Sequence, residues 1–222
     1  MTGVQTCALP ISPDFPADAD WINTSEPISL LDLRGKIVVL DFWTYGCINC
    51  IHVIPDLKRL EREYPDSLVV IGVHSAKFEN ESQTENIRQI IRRYEIEHPV
   101  LNDSEFLTWR AYDVHAWPTV VVIAPFGKYI GSLSGEPLYE RIQPIIDTMA
   151  REYRAADVLN LEPLPQWEPE PMAMDDTPLR FPGKVLADPA GNRLFIADSS
   201  HNRIIVSALD SYDVQDVIGT GA

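Results

Sequence analysis

Ile37-Val38-Val39-Leu40-Asp41-Phe42-Trp43-Thr44-Tyr45-Gly46-Cys47-Ile48-Asn49-Cys50 is the stretch on which the reading of this chain turns. Its first half is an apolar run of strand length. The residues that follow, Ile51 to Tyr64, place Ile51, Ile54, Leu57, Leu60 and Tyr64 close to the helical period, with Pro55 expected to kink the helix because it removes one donor. Cys47 therefore stands where a strand hands over to a helix N-terminus. Unpaired backbone N–H groups and the positive end of the macrodipole favour a thiolate over a thiol at such a place. Cys50 can reach back to Cys47 from within the first helical turn, and a dithiol built this way can exchange electrons with another disulfide.

Outward from this motif, strands and helices alternate. Leu30 to Lys36 leads through a Gly35 turn into the first strand, and Ser67 to Val73 reads as a second buried strand. Glu85 to Tyr94 has the apolar spacing of an amphipathic helix, and Val100-Leu101 precedes a short helical piece over Ser104 to Tyr112. Thr119 to Ala124 and Lys128 to Leu133 form a hairpin across Pro125-Phe126-Gly127, and a last helix runs from Leu138 to Ala156. This order predicts an α/β unit over 27–159, a central mixed sheet flanked by helices. Residues 12–26 read as an extended lead-in. Residues 160–178, with prolines at 163, 165, 169, 171 and 178 among acids, read as a semi-rigid linker. Beyond it, 179–222 changes character: four short strands, Gly183 to Ala187, Arg193 to Ala197, Arg203 to Ala208 and Val214 to Ile218, match one all-β propeller blade. A single blade has bare edges, so the chain is expected to stop inside a larger domain.

Composition narrows the function. Of 222 residues 45% are hydrophobic, and 18 Lys plus Arg face 33 Asp plus Glu for a net charge of -15 without a basic cluster, which argues against a nucleic-acid partner. No apolar stretch reaches the length of a membrane span. Residues 1–11 read as the translation of a sequencing-library adapter, so Cys7 is set aside and any leader at the natural start would leave no trace. The two remaining cysteines lie in one motif. That pattern argues for a redox pair rather than a disulfide framework, and it suits a reducing cytoplasm. A zinc half-site needs two more ligands, and His52, His74, His98, His115 and His201 offer no second pair, so no metal is expected.

Val39 to Cys50, together with Trp117-Pro118-Thr119 ahead of a strand, resembles the thioredoxin superfamily, and the Gly35-Lys36 entry resembles its TlpA-like branch. Phe181-Pro182-Gly183 through Ala197-Asp198-Ser199-Ser200-His201-Asn202-Arg203-Ile204 resembles an NHL repeat, with His201-Asn202 in the reverse of the family's usual order. The joint layout is similar to that of NHL-repeat-containing thioredoxin-like proteins. The resemblance implies a thiol–disulfide oxidoreductase in which Cys47 attacks, Cys50 resolves, and the redox-active Cys47–Cys50 pair needs no other cofactor. It implies that Asp41, six residues before Cys47 on an apolar strand, exchanges a proton with Cys50, its own pKa raised by desolvation. It implies a cis peptide before Pro118, with Trp43, Trp117 and Thr119 as contact surface for substrate. The implied partners are protein or small-molecule disulfides and dithiols, and a protein bound through the propeller. Gly46 stands where family members with this layout carry a third cysteine, so chemistry that depends on that thiol is not expected.

Two other functions compete with this one. Thr44-Tyr45-Gly46-Cys47 contains the T-x-x-C of peroxiredoxins, but Leu40 occupies the place of the proline that family carries four residues earlier. A non-catalytic scaffold, with the propeller recruiting a partner and the redox fold as platform, is the alternative from a different class.

Overall fold

The computed structural model describes residues 11–165, 167–169 and 178–219, which form two compact units, 11–169 and 178–219. Residues 1–10, where Cys7 falls, and 170–177, which hold part of the expected linker, lie outside the described residues, as do 166 and 220–222.

The first unit runs β1 (Asp20–Ile22), β2 (Ile37–Trp43), α1 (Ile48–Glu63), β3 (Leu68–His74), α2 (Thr84–Tyr94), β4 (Val100–Asn102), α3 (Leu107–Ala111), β5 (Thr119–Ile123), β6 (Tyr129–Ser134) and α4 (Tyr139–Ala155). Its six strands lie in the order β1-β4-β3-β2-β5-β6, with β2, β3 and β4 parallel and the others antiparallel to their neighbours. All seven residues of β2 and all seven of β3 are buried, as expected of central strands covered on both faces. The two-residue period sorts them: Val38, Leu40 and Phe42 join a core closed by Ile28, Leu30, Leu33, Tyr112 and Val114. Ile37 and Val39 turn to the opposite face, where Leu57 and Leu60 of α1 and Ile142, Ile146 and Met149 of α4 close a second core. Each such aliphatic side chain, fully buried, contributes about 1.5–3 kcal/mol. Among the described residues no helix is long and apolar enough to cross a membrane.

Element edges move for local reasons. Helix α1 begins at Ile48, three residues before its apolar period shows, because Cys47 in extended conformation is the N-cap (φ -114, ψ 107). The helix runs on through Pro55, and the neighbouring Asp56 accepts hydrogen bonds from the Leu138 and Tyr139 backbone N–H groups at the start of α4. Helix α3 starts at Leu107 rather than Ser104, since Phe106 sits in the left-handed region (φ 58) and ends helical geometry there. Strand β1, only three residues long, has no periodic signal of its own and pairs with the equally short β4.

The stretch after Leu159 is a strap rather than a free linker. Asn160 N–H donates to Gly35 O at 2.9 Å, the buried Lys36 ammonium donates to Glu162 O at 2.5 Å, and Leu164 is buried in the first core. Trp167 packs against the same core, bridges Thr24 and donates its indole N–H to Glu97 O at 2.8 Å. Prolines signal extension, but extension is also what lets Leu164 and Trp167 reach the domain surface. The anchoring residue is Gly35: its φ of +86 is strained for any side chain, and a Cβ there would stand 2.5 Å from Asn160 Cβ. Gly35→Ala is therefore expected to lower stability by about 1–3 kcal/mol in urea unfolding, with Trp167 fluorescence changing as the strap lifts.

The second unit is a four-stranded antiparallel meander, β7 (Pro182–Asp188), β8 (Arg193–Asp198), β9 (Arg203–Ala208) and β10 (Val214–Gly219). Its hub is Asp198: fully buried, it accepts hydrogen bonds from Arg180 N, His201 Nδ1 and Arg203 Nε. These three partners outweigh its burial and hold the carboxyl below its ordinary range. Val185 and Leu186 of β7 and Val214 and Ile218 of β10 are exposed, as in a blade.

Candidate active site around the Cys47–Cys50 pair

Parallel strand β2 ends at Trp43, and four residues carry the chain over to α1. Cys47 N–H donates to Thr44 O at 3.2 Å, and Cys47 O takes the N–H groups of Cys50 at 3.0 Å and Ile51 at 3.2 Å, which starts the helix at the cysteine itself. Cys47 is half-buried and Cys50 fully buried, and both are free thiols. The Cys50 thiol shares a hydrogen bond with the Cys47 sulfur; burial first, and then this bond, push its pKa up. One sulfur is thus presented and the other held protonated beside it. No acidic residue stands in the first turn of α1 to oppose negative charge at Cys47.

Asp41 lies between Val39 and Trp43 on the α1 face of β2. It is 2% exposed, and burial raises its pKa from 3.8 to about 7, with the His98 charge pulling the other way. Its field in turn adds to the elevation at Cys50. The Trp117–Pro118 peptide is cis. The Trp117 indole N–H donates to Ser75 O at 3.0 Å, and its ring lies 4.4 Å from that of Trp109, with Phe106 edge-on to both.

Two expected contact residues face inward instead. Trp43 is 1% exposed and packs edge-on against His74, because β2 is covered on both faces to its last residue. Thr119 is buried, its hydroxyl bound to Ala116 O and Ser134 Oγ. Neither side chain offers a surface to a substrate.

Other residues frame the motif without a sequence signal. The buried Glu81 carboxylate accepts hydrogen bonds from Thr44 Oγ1 and from Lys77 N–H at 2.9 Å. A Cβ at Gly46 would run into its Oε1, so the glycine is what lets the carboxylate sit against the turn. His74, fully buried, accepts from Tyr45 N–H through Nε2 at 3.4 Å and stacks on the Tyr45 ring; burial lowers its pKa to about 3, leaving it neutral. Glu81 is one acid in a polar stretch, and His74 closes an apolar strand. Only contacts in space distinguish them.

Comparison with known proteins places this geometry. A family model described as thioredoxin-like matches residues 35–129. The chain is 44% identical over 193 residues to Protein SUPPRESSOR OF QUENCHING 1, chloroplastic, of Arabidopsis thaliana, covering 85% of this chain and 18% of that protein. It is 43% identical over 199 residues to NHL repeat-containing protein 2 of Homo sapiens, covering 87% of this chain and 27% of the relative. Among solved structures, a thiol-disulfide isomerase from Corynebacterium glutamicum superposes with a TM-score of 0.54 at 21% identity, over 62% of this chain and 96% of that one. The chain thus spans about a quarter or less of the length of these two relatives.

Proposed function

This chain carries a thioredoxin-like domain followed by an NHL-type repeat, and from that premise we propose that it is a thiol–disulfide oxidoreductase working through Cys47 and Cys50. The observation that supports it most is the pairing of a half-exposed sulfur at a helix N-cap with a buried, protonated one bonded to it. In this reading the Cys47 thiolate attacks one sulfur of a substrate disulfide, forming a mixed disulfide and releasing the other sulfur as a thiolate. Cys50 then gives up its proton to Asp41 and attacks Cys47. The Cys47–Cys50 bond forms, the Cys47–substrate bond breaks, and the substrate leaves with two electrons. The sulfurs carry the electrons, so the exchange needs no bound cofactor.

The NHL-type unit is assigned to recruit a protein partner, in keeping with its exposed apolar strands β7 and β10. A trap tests the redox reading directly. The Cys50→Ser chain is expected to accumulate a mixed disulfide with a disulfide-bonded protein such as insulin, seen as a reductant-sensitive adduct on a gel and by mass. Removing Cys47 as well abolishes the adduct, and an adduct that persists without Cys47 would refute the assignment of the attacker.

A further inference from the structure

One face of α1 continues outward from Cys47. Ile48, Ile51, Pro55, Lys58 and Arg62 follow one another at alternating three- and four-residue steps, the spacing of a single helix face, and Ile51 N–H is bonded to Cys47 O at 3.2 Å. The opposite face, with Val53, Leu57 and Leu60, is the one that closes the second core. Ile48 is 65% exposed, Ile51 half-buried and Pro55 exposed, so the helical turns next to the reactive sulfur present apolar surface to water. Apolar surface bordered by charge, as here by Lys58 and Arg62, marks a place of contact with another molecule.

With the buried Ile54 as floor and Tyr94 of α2 as wall, Ile51, Pro55, Lys58 and Arg62 line a groove of about 640 Å³, within the range of ligand-binding clefts. Cys47, Ile51 and Tyr94 pack against the same buried cluster, so the sulfur and the groove share one apolar surface. The character of the groove changes along its length. It is apolar beside Cys47 and cationic at the far end, where Lys58 and Arg62 stand and the Arg93 guanidinium lies 5.6 Å from the centroid of the Tyr94 ring. Of the neighbouring carboxylates, Glu61 is drawn to His98 and Glu136 to His52, while Glu95, 67% exposed, stands 3.9 Å from Lys58 Nζ. A pair as long and as exposed as Lys58–Glu95 is readily exchanged for another carboxylate. On a chain with 18 Lys and Arg against 33 Asp and Glu, a basic end to an apolar groove is a local inversion of charge, and it is complementary to an acidic ligand.

We propose that this groove docks the substrate polypeptide, and that it selects an extended segment with an apolar residue beside the reacting cysteine and carboxylates further along. From Cys47 the helix rises about 16 Å to Lys58 and about 22 Å to Arg62, so at about 3.3 Å per extended residue the carboxylates fall about five to seven residues from the substrate cysteine. The inference rests on the dithiol reading above and names its substrate class. The bond changes are those already given; the groove decides which polypeptide brings its sulfur to Cys47. An acidic segment seated along α1 holds that sulfur at the helix N-terminus while its carboxylates meet Lys58 and Arg62.

The test uses the whole chain, reduced, and synthetic peptides whose one cysteine is held as a mixed disulfide with thionitrobenzoate. The peptides carry Asp-Glu-Asp, Asn-Gln-Asn or Lys-Lys-Lys about five to seven residues from the cysteine, before it in one series and after it in the other. Cys47 bonds to the peptide sulfur, thionitrobenzoate leaves as a coloured thiolate with the bonding electrons, and Cys50 then displaces the peptide. In one of the two series kcat/KM for the acidic peptide should exceed that for its amide twin about 10-fold at low salt, and the advantage should vanish at about 0.5 M salt. In the double variant Lys58→Glu, Arg62→Glu the preference should invert, the lysine peptide reacting faster than the acidic one. Should that variant fail to fold, Arg62→Glu alone, at an exposed position, should cut the acidic preference about 3-fold. Equal rates for acidic and amide peptides in both series overturn the proposal, as does a preference that survives the substitutions. An equal advantage for a peptide with its acids directly beside the cysteine also overturns it, since the groove would then play no part. So does sedimentation of the parent as a dimer that Lys58→Glu dissolves, since the occupant would be a second copy. Dye-labelled peptides with serine for cysteine separate the two readings: if no peptide releases thionitrobenzoate while the acidic one still binds in an Arg62-dependent way, the dithiol reading falls and the docking stands.

Discussion

Replacing Cys47 by serine is expected to bring insulin reduction by the chain, with dithiothreitol as electron source, down to the uncatalysed background, a loss of at least about 10³-fold. A serine oxygen cannot share an electron pair with a substrate sulfur as a stable intermediate, so the first bond of the sequence never forms. The change is nearly isosteric at a half-buried N-cap whose side chain makes no capping bond, so the fold should be untouched and circular dichroism superimposable. Turbidity of the precipitating insulin B chain reads the rate. Equal turbidity from parent and variant would transfer the function to the scaffold reading, in which the NHL-type unit acts and the cysteines do not.

Asp41→Asn should separate activity from stability. Asp41 titrates near pH 7 in the folded chain and near 3.8 when solvated, so the unfolded state loses its proton first as pH rises. The sign follows: below about pH 4 the carboxyl is neutral in both states and costs nothing, between 4 and 7 folding is progressively opposed, and above 7 the full penalty stands. Three units correspond to about 4 kcal/mol, and the loss of hydrogen bonding by a buried amide offsets part of any gain, leaving a net stabilisation on the order of 2 kcal/mol at pH 8. Urea midpoints of parent and variant should therefore diverge at pH 8 and approach each other near pH 4. Over the same range the variant should form the Cys47–Cys50 disulfide more slowly, about 10²-fold at pH 7, because Cys50 has lost the group that takes its proton. A stability difference that does not change with pH would show that Asp41 does not titrate as its surroundings dictate.

The order of elements was legible because each obeys one pattern: six apolar residues around a single Asp41 for β2, the 3.6-residue spacing from Ile51 for α1, and turn residues between β7 and β10. The cysteine pair, the carboxylate on β2 and the proline before β5 were legible as a linear pattern, since strand, turn and helix are contiguous there. What sequence left out are residues whose role is set by contacts across the fold. Glu81, against Thr44 and Gly46, and His98, buried with its Nδ1 3.2 Å from Glu61 Oε1, come from segments without periodicity. Trp43 illustrates the reverse error: an aromatic beside the motif suggests a contact surface, but the strand that carries it is covered on both sides.

The strap sets how the thioredoxin-like unit can be cut from its neighbour. A fragment ending at Leu159, where helical pattern gives out, would strip Leu164 and Trp167 from the core they cover, leave the Lys36 ammonium short of one acceptor and release the Glu97 carbonyl beside His98. Excision at or beyond Pro169 keeps those anchors, so the piece that behaves as one body is longer than the piece that carries the family's pattern.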